Sequence, residues 1–68
     1  MLGSHRLIEP ILAMFALDGH HHATTVPIGT VVDLNGKKFN GDRLMEVQWD
    51  GRMVLMFTAD LKAGTIPA

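Results

Sequence analysis

The dipeptide Asp-Gly at positions 50 and 51 constrains this sequence more than any other feature, because it separates two apolar runs, Leu44–Trp49 and Met53–Thr58. Both residue types accept the positive φ angles of a two-residue β-hairpin turn. Such a short turn also sets the strand register, and it places Trp49 opposite Arg52. The sequence therefore predicts a β-hairpin whose register pairs each residue of the first strand with a specific residue of the second.

The predicted register divides this hairpin into two faces. The outer face of the second strand carries three apolar residues, Met53, Leu55 and Phe57. A half-solvated antiparallel strand alternates apolar and polar residues, so a strand that is apolar on both faces is expected to be covered on both. We assign the uninterrupted apolar face to the interior; its members are Met45, Val47, Trp49, Val54 and Met56.

Further turn signals extend the β prediction along the chain. The Asn-Gly pair at positions 35 and 36 predicts a second hairpin turn, with Leu34 opposite Lys37. After the first hairpin, Thr58 is expected to cap a single helical turn near Thr58–Lys62, and Gly64 to end it in the left-handed conformation. A short final strand from Thr65 to Ala68 is predicted to follow.

The segment Arg6–Leu17 is apolar on both faces, and its period fits either a strand or a helix. Pro10 weakens the helix, so we favour an extended segment. We expect it to cover the outer face of the hairpin, within one subunit or from a neighbour. Residues 1–5 are expected to be disordered or vector-derived, and residues 6–68 to form a single small domain.

The pattern over Val26 to Pro67 resembles the small Src-homology-3-like (SH3-like) barrels. A Pro-x-Gly strand is followed by a turn, a hairpin with Val-x-Trp-Asp-Gly, and Phe-Thr-x-Asp-Leu on a helical turn before a last strand. The resemblance implies an all-β fold, a small SH3-like barrel of about five antiparallel strands with one short helical turn. The chain also resembles a group of short uncharacterised bacterial proteins, which implies no catalytic or binding residue.

Composition excludes several classes of function. The 68-residue chain has no cysteine, so it has no disulfide, and this fits a reducing cytoplasm. A net charge of −1 provides no field that would attract nucleic acid or an anionic membrane. The seven apolar residues Ile11–Leu17 are too few to span a bilayer, which takes about 20. We therefore expect partners to be recognised by shape.

One local cluster has the character of a metal site. In an extended segment, residues two apart share a face, so Asp18, His20 and His22 would present one carboxylate and two imidazoles to zinc or nickel. A structural zinc site takes four ligands, usually from two separated pairs, and the sequence has no second pair. We therefore favour a solvated histidine loop over a metal site.

The most consistent hypothesis is a non-enzymatic module, without catalytic residues, that forms a homo-oligomer and presents a surface to a further protein partner. Trp49 and Arg52, with the guanidinium over the indole ring, are the candidate surface contacts. Two alternatives remain open: an enzyme whose site is shared between symmetric subunits, and metal binding by the histidine loop. The predicted interface consists of Leu7, Ile11, Phe15, Met53, Leu55 and Phe57.

Overall fold

The computed structural model describes residues 1–68, and most of them lie in β-strands. The seven strands form one open antiparallel sheet in the order β3-β2-β6-β5-β4-β1-β7. The all-β prediction is confirmed, with seven strands in place of about five. The elements are β1 (Gly3–Leu7), β2 (Ile11–Leu17), β3 (His20–Val26), β4 (Val31–Phe39), β5 (Leu44–Trp49), β6 (Arg52–Phe57), α1 (Thr58–Gly64) and β7 (Thr65–Pro67).

The predicted hairpin is the β5–β6 pair. Asp50 and Gly51 have φ angles of 52° and 75°, which are the two positive values that a short hairpin turn requires. The ladder runs from Trp49 opposite Arg52 to Leu44 opposite Phe57 without a break. The predicted register is confirmed over its whole length.

The segment Arg6–Leu17 is extended, as predicted, but it contributes two strands that lie far apart in the sheet. β1 pairs with β4 and β7, whereas β2 pairs with β3 and β6. The prediction that this segment covers the outer face of β6 is wrong, because β2 lies beside β6 in the same sheet. Two strands that share a ladder cannot stack on one another's faces.

The short connection Ile8–Pro10 requires the sheet to curl. In the sheet order, β1 and β2 are separated by β4, β5 and β6. Four strand spacings in a flat sheet would place them about 19 Å apart. The four steps from Leu7 to Ile11 span at most about 14 Å. The sheet therefore curves until the end of β1 approaches the start of β2, and the core lies on its concave side.

The N-terminus is part of the sheet. Gly3–Leu7 forms one continuous strand, and the His5 side chain is buried on the core side. The Nδ1 atom of His5 lies 3.2 Å from the Gly3 carbonyl oxygen. The domain boundary proposed at residue 5 therefore does not coincide with a boundary of the fold.

The Asn-Gly pair at positions 35 and 36 does not form a hairpin turn, so this prediction is wrong. β4 passes straight through it and pairs with β5, and the register shifts between Leu34 and Lys38. Gly36 has a φ of 80°, which is consistent with a bulge in the strand. The chain reverses later, where three successive residues from Asn40 to Asp42 have positive φ angles.

α1 closes one end of the core through Leu61, which is fully buried. Two details of its prediction are wrong. Thr58 is the first helical residue and makes no cap, and Gly64 ends the helix without a positive φ, since Thr65 leads directly into β7. The Thr65 hydroxyl donates a hydrogen bond of 2.6 Å to the Leu61 carbonyl oxygen. With seven residues, the single helix α1 is far too short to span a bilayer.

Candidate functional site

The outward side of β6 is apolar, although a strand with one solvent-facing side normally alternates apolar and polar residues. Val54 and Met56 point into the core, and the three residues between and around them point outward. Of these, Met53 is 45% exposed and Phe57 is 39% exposed, while Leu55 is half-buried. The apolar character predicted for this face is therefore present, and neighbouring elements leave much of it open.

Two neighbouring strands extend this apolar face. Met14 of β2 lies directly opposite Leu55, and Leu44 of β5 lies directly opposite Phe57. Residues in direct cross-strand register share a face, as do residues two apart, so Leu12 also belongs to it. We call this set the outer face; it consists of Leu12, Met14, Leu44, Met53, Leu55 and Phe57.

Leu12 and Met14 were not among the predicted interface residues, because the N-terminal segment was expected to lie over β6 and not beside it. Leu44 was also left out, although the predicted register already sets it opposite Phe57. A two-residue alternation was visible in Ile11–Leu17, but its neighbour in the sheet was not. On the same side of the sheet, the charged residue Glu46 lies directly opposite Leu55 and borders the outer face. Its carboxylate accepts a hydrogen bond of 2.8 Å from the Asn35 Nδ2 group.

The other predicted interface residues lie on the opposite side of the sheet. Leu7 and Ile11 are 1% and 2% exposed and belong to the core cluster. Phe15 follows the same alternation as Ile11 and packs against that cluster, half-buried at its edge. The structure therefore separates the predicted interface into core residues and the outer-face residues Met53, Leu55 and Phe57.

Phe15 is the centre of a row of flat side chains across neighbouring strands. Its ring stacks on the imidazole of His22, with ring centroids 5.6 Å apart and an angle of 19° between the planes. The guanidinium of Arg52 lies 5.3 Å from the centroid of the Phe15 ring. Trp49 lies directly opposite Arg52 in the ladder and packs against the core cluster. The predicted stacking partner was wrong: the cation lies over Phe15.

The histidine segment is an ordered strand. His20–Val26 forms β3, and Asp18 and Gly19 make the two-residue turn that precedes it, with φ angles of 52° and 76°. No three His, Cys, Asp or Glu side chains of the chain lie close enough together to hold a metal ion. Asp18, His20 and His22 therefore do not converge, because the carboxylate sits in the turn and the His22 ring packs on Phe15.

One open pocket of about 390 Å³ lies where the β4–β5 turn meets the start of α1. It combines the cations Arg43 and Lys62 with the carboxylate of Asp42. No nucleophile with an adjacent base lines it, so it contains no recognisable catalytic arrangement. Its lining residues are Asp42, Arg43, Phe57, Thr58, Ala59 and Lys62.

No protein-family model, curated protein sequence or solved structure matches this chain. The function has to be argued from the surfaces described above.

Proposed function

We propose that this chain is a non-enzymatic interaction module that self-associates through its outer face. The observation that carries the proposal is the apolar outer side of β6, with Met53 and Phe57 each more than a third exposed. An antiparallel strand with one solvated face normally presents polar residues there. Contiguous apolar surface of this kind usually marks association.

A second copy of the chain is the occupant we propose. Only 14 of the 68 residues are buried, so a single chain of this size has a small core and gains much from covering further apolar surface. The net charge of −1 also produces little repulsion between two copies. A symmetric pair would bring the Leu55 side chains of both copies into one apolar contact.

We further propose that the fold is an SH3-like barrel carrying an extra hairpin. If the β2–β3 hairpin is set aside, five strands remain: β1, β4, β5, β6 and β7. The curl of the sheet and the short helix between β6 and β7 also support this likeness. On this view the β2–β3 hairpin is an insertion that lengthens the sheet and enlarges the outer face.

The test is the mass of the protein in solution, measured by light scattering after gel filtration over a range of concentrations. We expect an oligomer for the unchanged chain. Leu55→Glu would bury an unpaired carboxylate in the contact, at a cost of about 3 kcal/mol or more, which weakens association by at least about 100-fold.

The matched control is Ile28→Glu, which places the same charge at an apolar side chain that is 62% exposed in the loop between β3 and β4. We expect this variant to keep the mass of the unchanged chain. A folded Leu55→Glu protein with unchanged oligomer mass, or an unchanged chain that is monomeric at every concentration, would rule out the proposed contact.

A further inference from the structure

The two edges of the sheet differ in how well they are protected. β7 has only three residues and contains Pro67, and short strands and prolines are common means of preventing edge-to-edge pairing. β3 has seven residues with neither lysine nor proline, and its ladder with β2 runs without a bulge from Val26 to His20. Most of its side chains are exposed. β3 is thus an unprotected edge.

The turn of the β2–β3 hairpin determines which backbone groups of β3 are free. Leu17 and His20 flank the two-residue turn. In such a hairpin the flanking pair exchanges two hydrogen bonds, and hydrogen-bonded pairs recur at every second residue. His22 and Thr24 therefore bond to β2. The N–H and C=O groups of the alternate residues point away from β2, toward the open edge; these residues are His21, Ala23 and Thr25.

We propose that β3 pairs with β3 of a second copy of this chain, antiparallel, about a two-fold axis at Ala23. This register sets Ala23 opposite Ala23 of the second copy, and His21 opposite Thr25 of the second copy. The three free residues of each strand are centred on the axis, so every free N–H group meets a C=O group. The three resulting pairs form about six hydrogen bonds, two per pair.

The side chains fit this register. The smallest one, Ala23, lies at the axis, where two identical side chains must meet. Each histidine lies opposite a threonine, since the same register sets His22 opposite Thr24 of the second copy. β3 contains no Lys, Arg, Asp or Glu, so the pairing sets no like formal charges opposite each other. Like charges in that position would weaken the strand pair.

A second copy fits this edge better than an unrelated peptide does. Peptides that add a strand to a sheet obtain specificity from side-chain pockets beside the edge. The one pocket of this chain is lined by Asp42, Arg43 and residues 57–62, and by no residue of β3. The edge offers backbone groups in a symmetric spacing, and the same strand of another copy matches that spacing.

A disulfide trap tests the proposal, because the chain has no cysteine and any disulfide must join two copies. In Ala23→Cys, the two Cα atoms of a hydrogen-bonded pair would lie about 5.5 Å apart, which is within disulfide range. In the control His21→Cys, the two cysteines would lie about 13 Å apart, four residues along the strand, beyond reach. A mixture of His21→Cys and Thr25→Cys proteins should again cross-link.

We expect a covalent dimer from Ala23→Cys at least tenfold faster than from His21→Cys, and a mixed dimer from the two-protein mixture. Equal cross-linking of Ala23→Cys and His21→Cys, or none by either, would overturn the proposal. The trap is repeated with Leu55→Glu added, because that change removes the outer-face contact but leaves the β3 edge intact. Cross-linking of Ala23→Cys that persists there supports the edge pairing independently of the outer face, whereas its loss would overturn the edge pairing as a separate interface.

Discussion

Thr58 is the buried side chain whose polar atom has no hydrogen-bond partner in this fold. Its backbone N–H donates a hydrogen bond of 2.9 Å to the Arg43 carbonyl oxygen, which continues the β5–β6 ladder by one pair. The side chain therefore follows Met56 toward the core. A hydroxyl group that loses water without gaining a partner lowers the stability of the folded state.

At this single position we predict that Thr58→Val raises the free energy of unfolding by about 1 kcal/mol, because a methyl group of nearly the same shape replaces the unpaired hydroxyl. Urea denaturation measures the change. The control Thr58→Ser keeps the hydroxyl but removes a buried methyl group, so it should lower the stability. A less stable Thr58→Val protein would mean that the hydroxyl has a partner, such as a bound water.

Two hairpins with the same turn sequence meet side by side in the sheet. The Asp-Gly turns at positions 18–19 and 50–51 have nearly identical φ angles, 52° and 76° against 52° and 75°. The strands that join them are β2 and β6, through Met14 and Leu55. The outer face therefore depends on two local turns and one long-range strand contact.

At the scale of an element we predict that Gly51→Ala destabilises the protein by about 1 to 2 kcal/mol, because a residue with a Cβ atom resists the left-handed conformation. Thermal or urea unfolding gives the difference. Asp50→Asn is the matched control at the adjacent turn position, and it should change little, since asparagine also accepts positive φ. Equal losses in the two variants would contradict this account of the turn.

The whole molecule depends on one small core of 11 buried apolar residues. α1 contributes Leu61 to it, and the backbone of Ile8 donates a hydrogen bond of 2.8 Å to the Gly64 carbonyl oxygen at the other end of the helix. A domain of this length is stable by roughly 3 to 10 kcal/mol. Because the core is this small, the packing of Leu61 from the helix should account for a substantial share of the stability.

At the scale of the molecule we predict that Leu61→Ala costs about 2 to 5 kcal/mol, because it leaves a cavity where the helix closes the core. Such a loss is a large share of the stability, so urea should unfold the variant at a clearly lower concentration than the unchanged protein, as followed by circular dichroism. Lys62→Ala, on the exposed side of the same helix, should stay within about 0.5 kcal/mol of the unchanged protein. Similar effects of the two changes would argue against the closing role of Leu61.

The proposed contacts would combine in one assembly. Pairing at the β3 edge would extend one sheet into the next, and the outer faces of the two copies would then lie on the same side of a continuous sheet. Association through the outer face would stack such pairs. The Leu55→Glu variant separates these contacts, because it changes the outer face at β6 and leaves the backbone groups of the β3 edge unchanged.

Turn chemistry and alternation were enough to predict the β5–β6 register, the extended N-terminal segment and the apolar outer side of β6. These features depend on residues that are close in sequence, and a two-residue turn determines its flanking pairs by geometry alone. The same signal was present at Asp18-Gly19. The residues from Asp18 to His22 were nevertheless predicted to form an exposed loop, whereas in the structure a strand begins at His20.

Only the tertiary structure decided where the hairpins lie relative to one another. It placed Leu7 and Ile11 in the core, brought Arg52 over Phe15, and carried β4 through Asn35 and Gly36 without a turn. Each outcome depends on which strands become neighbours in the curled sheet. That choice is made by the burial of apolar area over the whole chain, and no local pattern of residues records it.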